Sequence, residues 1–311
     1  MLRALLYLPL LAALCAPAAA AETSAAQFLR LGFGARSLGM AGAYAAVGEG
    51  AEAAYYNPAS YAQASPGGEV SLSHTWHVQD TGLTQGAYAR RGWGVSFTWF
   101  SAGDLEGRDD LGNPTGTFTA EDAALTAGAG FRWRGAAVGA SVKGVRQRIR
   151  DSGATAAAAD LGLLYPADPL APMRLGLSVA NLGSKIKFEA EAYPLPVTWR
   201  AGLAMRPGEG STLLALQADI NNDGGSSLGF GAEYRPVEEL ALRGGYRTSS
   251  SDQRDAILGS ELGSSTSGID GLYGFYMGIG FEIRGVILDY ALLPYGDLGS
   301  SHRFAVGMKF E

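Results

Sequence analysis

The feature that most constrains the fold of this chain is a period-two alternation of large apolar residues with small or polar ones. In the stretch 93–100, WGVSFTWF, Trp, Val and Phe alternate with Gly, Ser and Thr. The stretches 70–78, 173–179, 197–206 and 303–310 repeat this alternation. Period two places one set of side chains on each face of a β-strand. A soluble β-sandwich has the same period, so the alternation predicts strands and leaves two architectures open.

The lengths of the connections favour one of these architectures. We predict about fourteen strands, at 70–78, 83–90, 92–100, 123–133, 136–150, 157–165, 173–182, 197–206, 213–220, 228–235, 240–246, 274–283, 286–293 and 302–310. Tight connections at 90–92, 134–135, 207–211, 236–239 and 284–285 stand between longer ones at 101–122, 183–196, 248–273 and 294–301. Short turns that alternate with long loops are typical of a bacterial outer-membrane barrel, as is an even number of strands.

Composition agrees with a barrel and limits the possible partners. The chain has 311 residues, of which 47% are hydrophobic and only 17% charged, with 45 glycines. Beyond the N-terminus, no apolar run approaches the ~20 residues that a membrane helix needs. The net charge of -6 argues against nucleic acid as a partner. We therefore predict an all-β fold over 67–311, a transmembrane antiparallel β-barrel in contact with outer-membrane lipid.

The N-terminus has the features of a secretory signal peptide over 1–21. Arg3 supplies the positive charge, 4–14 form an apolar core, and the alanines at 18–21 offer small-residue cleavage sites. Cys15 is the only cysteine and lies within this segment. We expect the mature protein, after cleavage, to lie in the outer membrane of a Gram-negative cell and to lack thiol chemistry.

The following segment, 22–66, is too rich in small residues to bury a core of its own. We predict that it packs inside the barrel as an N-terminal plug, with a short helix over 38–47 and Ser37 as its N-cap. Glycines permit close backbone contact with the wall, and the Asn-Pro pair fixes a turn. Both a fixed plug and a moving gate fit the sequence. The candidate plug residues are Gly34, Arg36, Ser37, Gly39, Met40, Gly42, Asn57, Pro58 and Ala59.

Basic residues on the predicted inward faces are a second group of candidates. They are Arg174, Arg200, Arg206, Arg243 and Arg303, together with Lys143. Two uses are open for them. One is pairing with Asp160, Asp219 or Glu233 in a structural ladder, and the other is binding an anionic head group such as a carboxylate.

The sequence contains only partial matches to motifs for catalysis or metal binding. The stretch 219–224, DINNDG, begins like a calcium loop, but Phe230 stands where the final Glu belongs. The stretch 225–229, GSSLG, matches a nucleophile elbow but lies outside any strand-to-helix context. No cluster of Cys and His is present. We expect no enzymatic activity, cofactor or metal.

Two segments carry a family resemblance. The stretch 28–60, FLRLGFGARSLGMAGAYAAVGEGAEAAYYNPAS, and the stretch 288–304, LDYALLPYGDLGSSHRF, resemble the PorV/PorQ family within the wider FadL-like outer-membrane barrels. The stretches 179–188 and 231–247 are also similar to it. The resemblance implies a fourteen-stranded barrel with its N-terminal segment folded into the lumen.

The resemblance implies two different functions, one in protein secretion and one in the uptake of small molecules. PorV-type members serve type IX secretion, which implies secretion-system subunits or cargo proteins as partners. FadL-like members take up hydrophobic small molecules such as fatty acids, using a plug with an NPA motif that matches Asn57, Pro58 and Ala59. We expect a secretion component or outer-membrane scaffold, with a hydrophobic-molecule channel as the alternative.

Overall fold

The structure is a computed structural model that describes residues 23–76, 81–109, 111–168, 170–188, 191–208, 210–248, 274–294 and 300–310. The predicted signal peptide lies outside these residues, as do nearly all of the predicted loop 248–273 and the part 295–299 of the loop 294–301.

Fourteen strands close into one antiparallel barrel, which confirms the predicted fold class. They are β1 (Glu69–Trp76), β2 (Thr81–Arg90), β3 (Trp93–Arg108), β4 (Pro114–Trp133), β5 (Ala136–Ile149), β6 (Ser152–Tyr165), β7 (Met173–Gly183), β10 (Thr198–Met205), β11 (Thr212–Asn221), β12 (Ser226–Val237), β13 (Leu240–Arg247), β14 (Phe275–Ile283), β15 (Val286–Pro294) and β16 (Ser300–Lys309). Strands β8 (Ile186–Phe188) and β9 (Glu191–Tyr193) form a separate hairpin. Strand β1 pairs with β16 along its full length, with Val70 opposite Met308, and this pairing closes the barrel.

The two faces of the wall differ as the alternation predicts. On β16, Val306 is 55% exposed on the outside, whereas its neighbour Ala305 is 6% exposed and faces inward. Leu125, on the outer face of β4, is 67% exposed. An outer surface of this kind is stable against hydrocarbon, in which a closed ladder also satisfies every backbone hydrogen bond. The barrel therefore has the surface of a membrane-spanning protein.

The barrel has two ends, which we call the turn end and the loop end. At the turn end the chain enters β1 and leaves β16, and strands are joined by turns such as 91–92, 134–135 and 284–285. The loop end carries the longer connections on the whole. Most wall strands have 8–12 residues, whereas β3 and β4 have 16 and 20.

The predicted loop 101–122 is wrong, because most of it is strand. β3 continues to Arg108 and β4 begins at Pro114, so this hairpin projects beyond the partners of Ala102 on β2 and Ala120 on β5. In the projecting part, the face of β4 that carries Leu125 within the wall becomes polar and exposed, as at Thr117 and its cross-strand partner Glu106. Without a lipid-facing side there is no apolar period, and the sequence signal for a strand is lost.

Three smaller predictions also differ from the structure. The predicted loop 183–196 contains the hairpin β8–β9, and β6 begins at Ser152 rather than at 157. The predicted helix over 38–47 is wrong. Helix α1 instead spans Ala35–Gly39, with Gly34 at its N-cap and Ser37 inside it. Ala41 and Gly42 have positive φ angles of 56° and 71°, which end the helix.

The remaining helical elements are short. Helix α2 spans Ala53–Tyr56, and 3-10 turns cover Gln27–Arg30 and Pro58–Gln63. No helix within the described ranges is long and apolar enough to cross a membrane.

Candidate functional site

The N-terminal residues 23–66, here the lumen segment, lie against the inward-facing side chains of the barrel and are almost entirely buried. The segment starts at the loop end, where the Ala25 amide donates to the carbonyl of Pro194 at 3.0 Å. It ends at the turn end, where the chain enters β1 at Glu69. The segment thus runs through the barrel from one end to the other.

A polar cluster holds the beginning of the lumen segment at the loop end. The Asp223 carboxylate, in the turn after β11, accepts hydrogen bonds from Ser24 Oγ at 3.0 Å, from Gln27 and from Arg30. These donors, and Arg30 above all, hold the pKa of Asp223 below its ordinary value although partial burial opposes this. The Ala26 amide also donates to the side chain of Gln147 on β5.

A buried ion network holds the middle of the lumen segment. Arg36 of α1 donates to both oxygens of Glu233 on β12, each at 2.8 Å, and to Glu49 at 3.0 Å. Glu233 also accepts from Arg243 on β13 at 2.7 Å, and Arg243 donates to Asp289 on β15 at 2.5 Å. Removal of one partner from such a network leaves a buried charge uncompensated. The network therefore fixes α1 to three strands.

Glu52 joins two parts of the lumen segment. Its carboxylate accepts from the Ser37 amide at 3.0 Å and lies against Gly34, where an added Cβ would stand 1.7 Å from Glu52 Oε2. Gly34 also has a φ of 78°, which residues other than glycine rarely adopt. A side chain at this position is therefore excluded both by the contact with Glu52 and by the backbone conformation. Burial, with the negative charge of Asp289, raises the pKa of Glu52 to about 7, and the Ser37 hydrogen bond opposes this rise.

The Asn57-Pro58-Ala59 turn bonds directly to the backbone of the wall. Asn57 Nδ2 donates to the carbonyl of Leu163 on β6 at 3.0 Å and to that of Ala45 at 2.8 Å. Asn57 Oδ1 accepts from the Ala59 amide at 3.1 Å and so caps the 3-10 turn. A Cβ on Gly162 of β6 would stand 2.0 Å from this oxygen. Only glycine therefore fits at this position of the wall, because Asn57 lies too close for a larger side chain.

The other predicted plug residues also lie close to the barrel wall or to one another. Gly39 is packed against the backbone of Gly278, and the Met40 backbone against Gly231 and Gly245. A Cβ on Gly139 would stand 2.3 Å from the Pro58 carbonyl. Ser37 is not the predicted cap, since its hydroxyl donates to the Phe33 carbonyl.

The predicted lumen cations are buried, except for the half-buried Arg206 just past β10, and their surroundings differ. Arg174 donates to the Ala46 carbonyl and to Gln63, Arg206 contacts Glu49, and Arg303 contacts Thr75, Gln85 and the Gly32 carbonyl. Arg243 lies in the ion network, and Lys143 pairs with Asp160 at 3.2 Å. Arg200 lies over the rings of Tyr55 and Tyr56, 5.5 and 5.9 Å from their centroids.

Sequence reasoning missed several polar residues of the lumen. Gln217 of β11 accepts from the amides of Tyr44 and Ala45, and Glu49 and Glu52 belong to the lumen segment itself. The available signal was weak, consisting of acidic residues within an otherwise small-residue stretch and Gln at inward positions of the strands.

Two cavities lie on opposite sides of the lumen segment. The inner cavity, near the turn end, has a volume of about 420 Å³ and is lined by Glu49, Glu52, Glu69 and Arg243, among others. The outer cavity, near the loop end, has a volume of about 350 Å³. Its lining residues include Leu31, Leu38, Tyr55, Tyr56, Arg200 and Arg247. The two cavities share no lining residue. Within the described ranges, no group of three or more His, Cys, Asp or Glu residues is placed to hold a metal ion.

Comparison with known proteins gives structural neighbours only. No family model matches the chain, and no curated protein matches it. Among solved structures, the CymD monoaromatic hydrocarbon channel superposes with a TM-score of 0.59 at 13% identity, covering 89% of this chain and 96% of that one. A TodX deltaS2S3 mutant monoaromatic hydrocarbon channel gives 0.57 at 14% identity, covering 89% and 97%. A Pseudomonas aeruginosa FadL homologue gives 0.56 at 10% identity, covering 94% and 99%. The barrel therefore has the fold of FadL-like outer-membrane proteins.

Proposed function

We propose that this protein is an outer-membrane channel for small hydrophobic molecules, in which residues 22–66 form the plug. The observation that carries this proposal is the position of the lumen segment between two cavities that share no lining residue. A molecule that enters the outer cavity meets this segment before it can reach the inner one. In this proposal the signal peptide 1–21 is removed on export, and the apolar outer surface of the barrel contacts lipid.

The structural neighbours support transport over the secretion role. CymD and TodX are named as monoaromatic hydrocarbon channels, and both superpose over nearly nine-tenths of this chain. Small-molecule sites generally combine an apolar lining with a few polar groups that fix orientation. The outer cavity combines both kinds of surface, since tyrosine and leucine side chains line it together with Arg200 and further polar residues.

Passage requires that the lumen segment move or that the wall open beside it. Many of the close contacts between segment and wall are at glycines of the wall, such as Gly139 and Gly231. Glycine has no side chain that would interdigitate with the segment and resist its movement. The hydrogen bonds that fix the segment to the wall are those of the polar cluster at Arg30, of the buried ion network at Arg36 and of Asn57. We therefore propose that opening breaks these polar contacts while the barrel stays closed.

A PorV/PorQ-like role in type IX secretion or as a scaffold is the second candidate. The feature that favours it is the projecting hairpin of β3 and β4, which stands beyond its neighbours and has Leu111 87% exposed at its tip. Such a hairpin offers a surface for protein subunits or cargo. None of the neighbours described above is named as a secretion component.

Uptake by intact cells tests the proposal. We expect cells that produce the protein to accumulate labelled toluene faster than cells that lack it, and to show no difference for labelled glucose. Equal toluene uptake in both strains would contradict the channel. A variant in which 103–119 are replaced by a tight turn should transport normally, whereas a secretion role predicts loss of partner binding in this variant.

A further inference from the structure

The outer cavity contains a buried cation that has no carboxylate partner within the described part of the chain. Arg200 projects inward from β10 and is only 7% exposed. The other two guanidinium groups of the cavity are each paired, Arg30 with Asp223 and Arg247 with Asp219. Among the described residues, no carboxylate lies within salt-bridge distance of Arg200.

The contacts that Arg200 does make are weak ones. Its Nη1 donates to the Tyr55 carbonyl at 3.5 Å, and its guanidinium lies over the rings of Tyr55 and Tyr56. Asp219 stands directly opposite on β11 but is engaged by Gln217 and Arg247. A buried charge is costly unless it is paired, and ring faces compensate it only in part. The position thus has unused capacity for an anion.

A second polar group of the cavity also lacks a partner. Ser227 Oγ is buried and makes no hydrogen bond within the described structure. In the sheet, Arg200, Asp219 and Ser227 occupy one row across β10, β11 and β12, and all three line the cavity. A hydroxyl donates readily to an anionic oxygen. Two independent features of one wall therefore point to the same kind of ligand group.

The remaining lining and the volume describe the rest of the ligand. Apolar surface in the same cavity comes from three leucines and three tyrosines, namely Leu31, Leu38, Leu293, Tyr55, Tyr56 and Tyr276. The volume of about 350 Å³ lies near the lower end of the roughly 300–1,000 Å³ that is usual for small-molecule sites. A small body with one ring or a short chain matches this space better than a long lipid.

We infer that the outer cavity binds a small amphipathic monoanion, an aromatic or short aliphatic carboxylate, with its carboxylate on Arg200 and within reach of Ser227. This inference rests on the proposed channel function and names the substrate class of that channel. Arg200 is then the residue that distinguishes a carboxylate from a neutral molecule of the same shape, because a guanidinium binds a carboxylate through two parallel hydrogen bonds.

Binding of benzoate and its neutral isostere benzamide to the purified barrel tests the inference by calorimetry. We expect benzoate to bind at least about tenfold more tightly than benzamide, since a charge-assisted hydrogen bond is worth a factor of about ten or more. Arg200→Met should remove this preference and leave benzamide binding unchanged, while Arg200→Lys should keep most of it. Arg174→Met, on a buried arginine of β7 that does not line this cavity, is the matched control and should behave as the parent protein.

Several outcomes would overturn the inference. These are equal binding of the two probes by the parent protein, no binding of either, and a benzoate preference that survives in Arg200→Met. Should Arg200→Met fail to fold, Ser227→Asp places a negative charge on the same row and must weaken benzoate binding selectively. Toluene uptake separates the two proposals. If the parent protein speeds toluene uptake but shows no preference for benzoate, only the inference fails. If the parent protein does not speed toluene uptake, the channel proposal itself is contradicted.

Discussion

Replacement of Arg36 by Met is expected to release the lumen segment from the wall. The change removes two 2.8 Å hydrogen bonds to Glu233 and one of 3.0 Å to Glu49. Loss of one partner from a buried ion pair costs about 3–5 kcal/mol. In the variant, Glu233 is still paired with Arg243 and Glu49 with Arg206. We therefore take the lower value of this range as the cost of the substitution. A loss of about 3 kcal/mol raises the population of released segment by roughly a hundredfold.

Thiol labelling at Ser60 measures this population. Ser60 lies in the 3-10 turn Pro58–Gln63, is 4% exposed, and its hydroxyl has no hydrogen-bond partner in the described structure. Ser60→Cys is therefore a near-isosteric reporter, made in a chain whose only natural cysteine, Cys15, is replaced by alanine. Where release is fast compared with labelling, the rate follows the released population. We expect Arg36→Met to speed labelling by about two orders of magnitude.

Arg108→Met is the matched control for this experiment. Arg108 forms an exposed ion pair with Glu106 on the projecting hairpin, and pairs of this kind contribute about 0–1 kcal/mol. The control should label at the parent rate. An Arg36→Met protein that labels no faster than this control would refute the assignment of the ion network as the main hold on the segment.

Two further predictions concern the lumen segment. Because burial raises the pKa of Glu52 from 4.5 to about 7, the docked segment binds a proton that the released segment loses; docking is strongest below about pH 4.5 and weakens by up to about 3 kcal/mol as the pH rises through 7. Glu52→Gln should abolish this pH dependence, and a ratio of parent to variant labelling rates that stays constant between pH 5 and 8 would exclude it. Gly162→Ala should lower the yield of folded barrel on heat-modifiability gels, since its Cβ would stand 2.0 Å from Asn57 Oδ1. Gly144→Ala, with no atom within 4 Å of the added Cβ, should fold as the parent does, and equal yields of the two variants would disprove the close contact.

The barrel was predictable from the sequence because lipid imposes a period on every strand that crosses it. Val306 and its neighbours on β16 alternate without interruption, and a single apolar face suffices to place such a strand. This alternation, together with glycine-rich turn residues, predicts the fourteen strands and most of the tight turns. Where the lipid-facing surface ends, the alternation ends too, so the sequence predicts a loop for the projecting part of β3 and β4.

The interior of the barrel was less predictable because its contacts join distant parts of the chain. Arg36 and Glu233 are separated by 197 residues, and nothing local in the sequence indicates that they meet. The predicted helix over 38–47 is wrong for the same reason, because contact with the wall decides the backbone there. Its alanines and leucine have high helix propensity, but Ala41 and Gly42 adopt positive φ angles that fit the segment to the wall. Tertiary contact here outweighed propensity.

A reversible disulfide between the lumen segment and the wall tests most directly whether the segment must move for transport. A Cβ on Gly229 of β12 would stand 3.8 Å from the Cβ of Ala43, which matches the mean Cβ separation of about 3.8 Å in disulfides. We predict that the oxidised double variant Ala43→Cys/Gly229→Cys reduces toluene uptake to the level of cells lacking the protein, and that a reductant restores it. Each single variant should respond to neither treatment. Undiminished uptake by a fully oxidised double variant would contradict a plug that opens by moving.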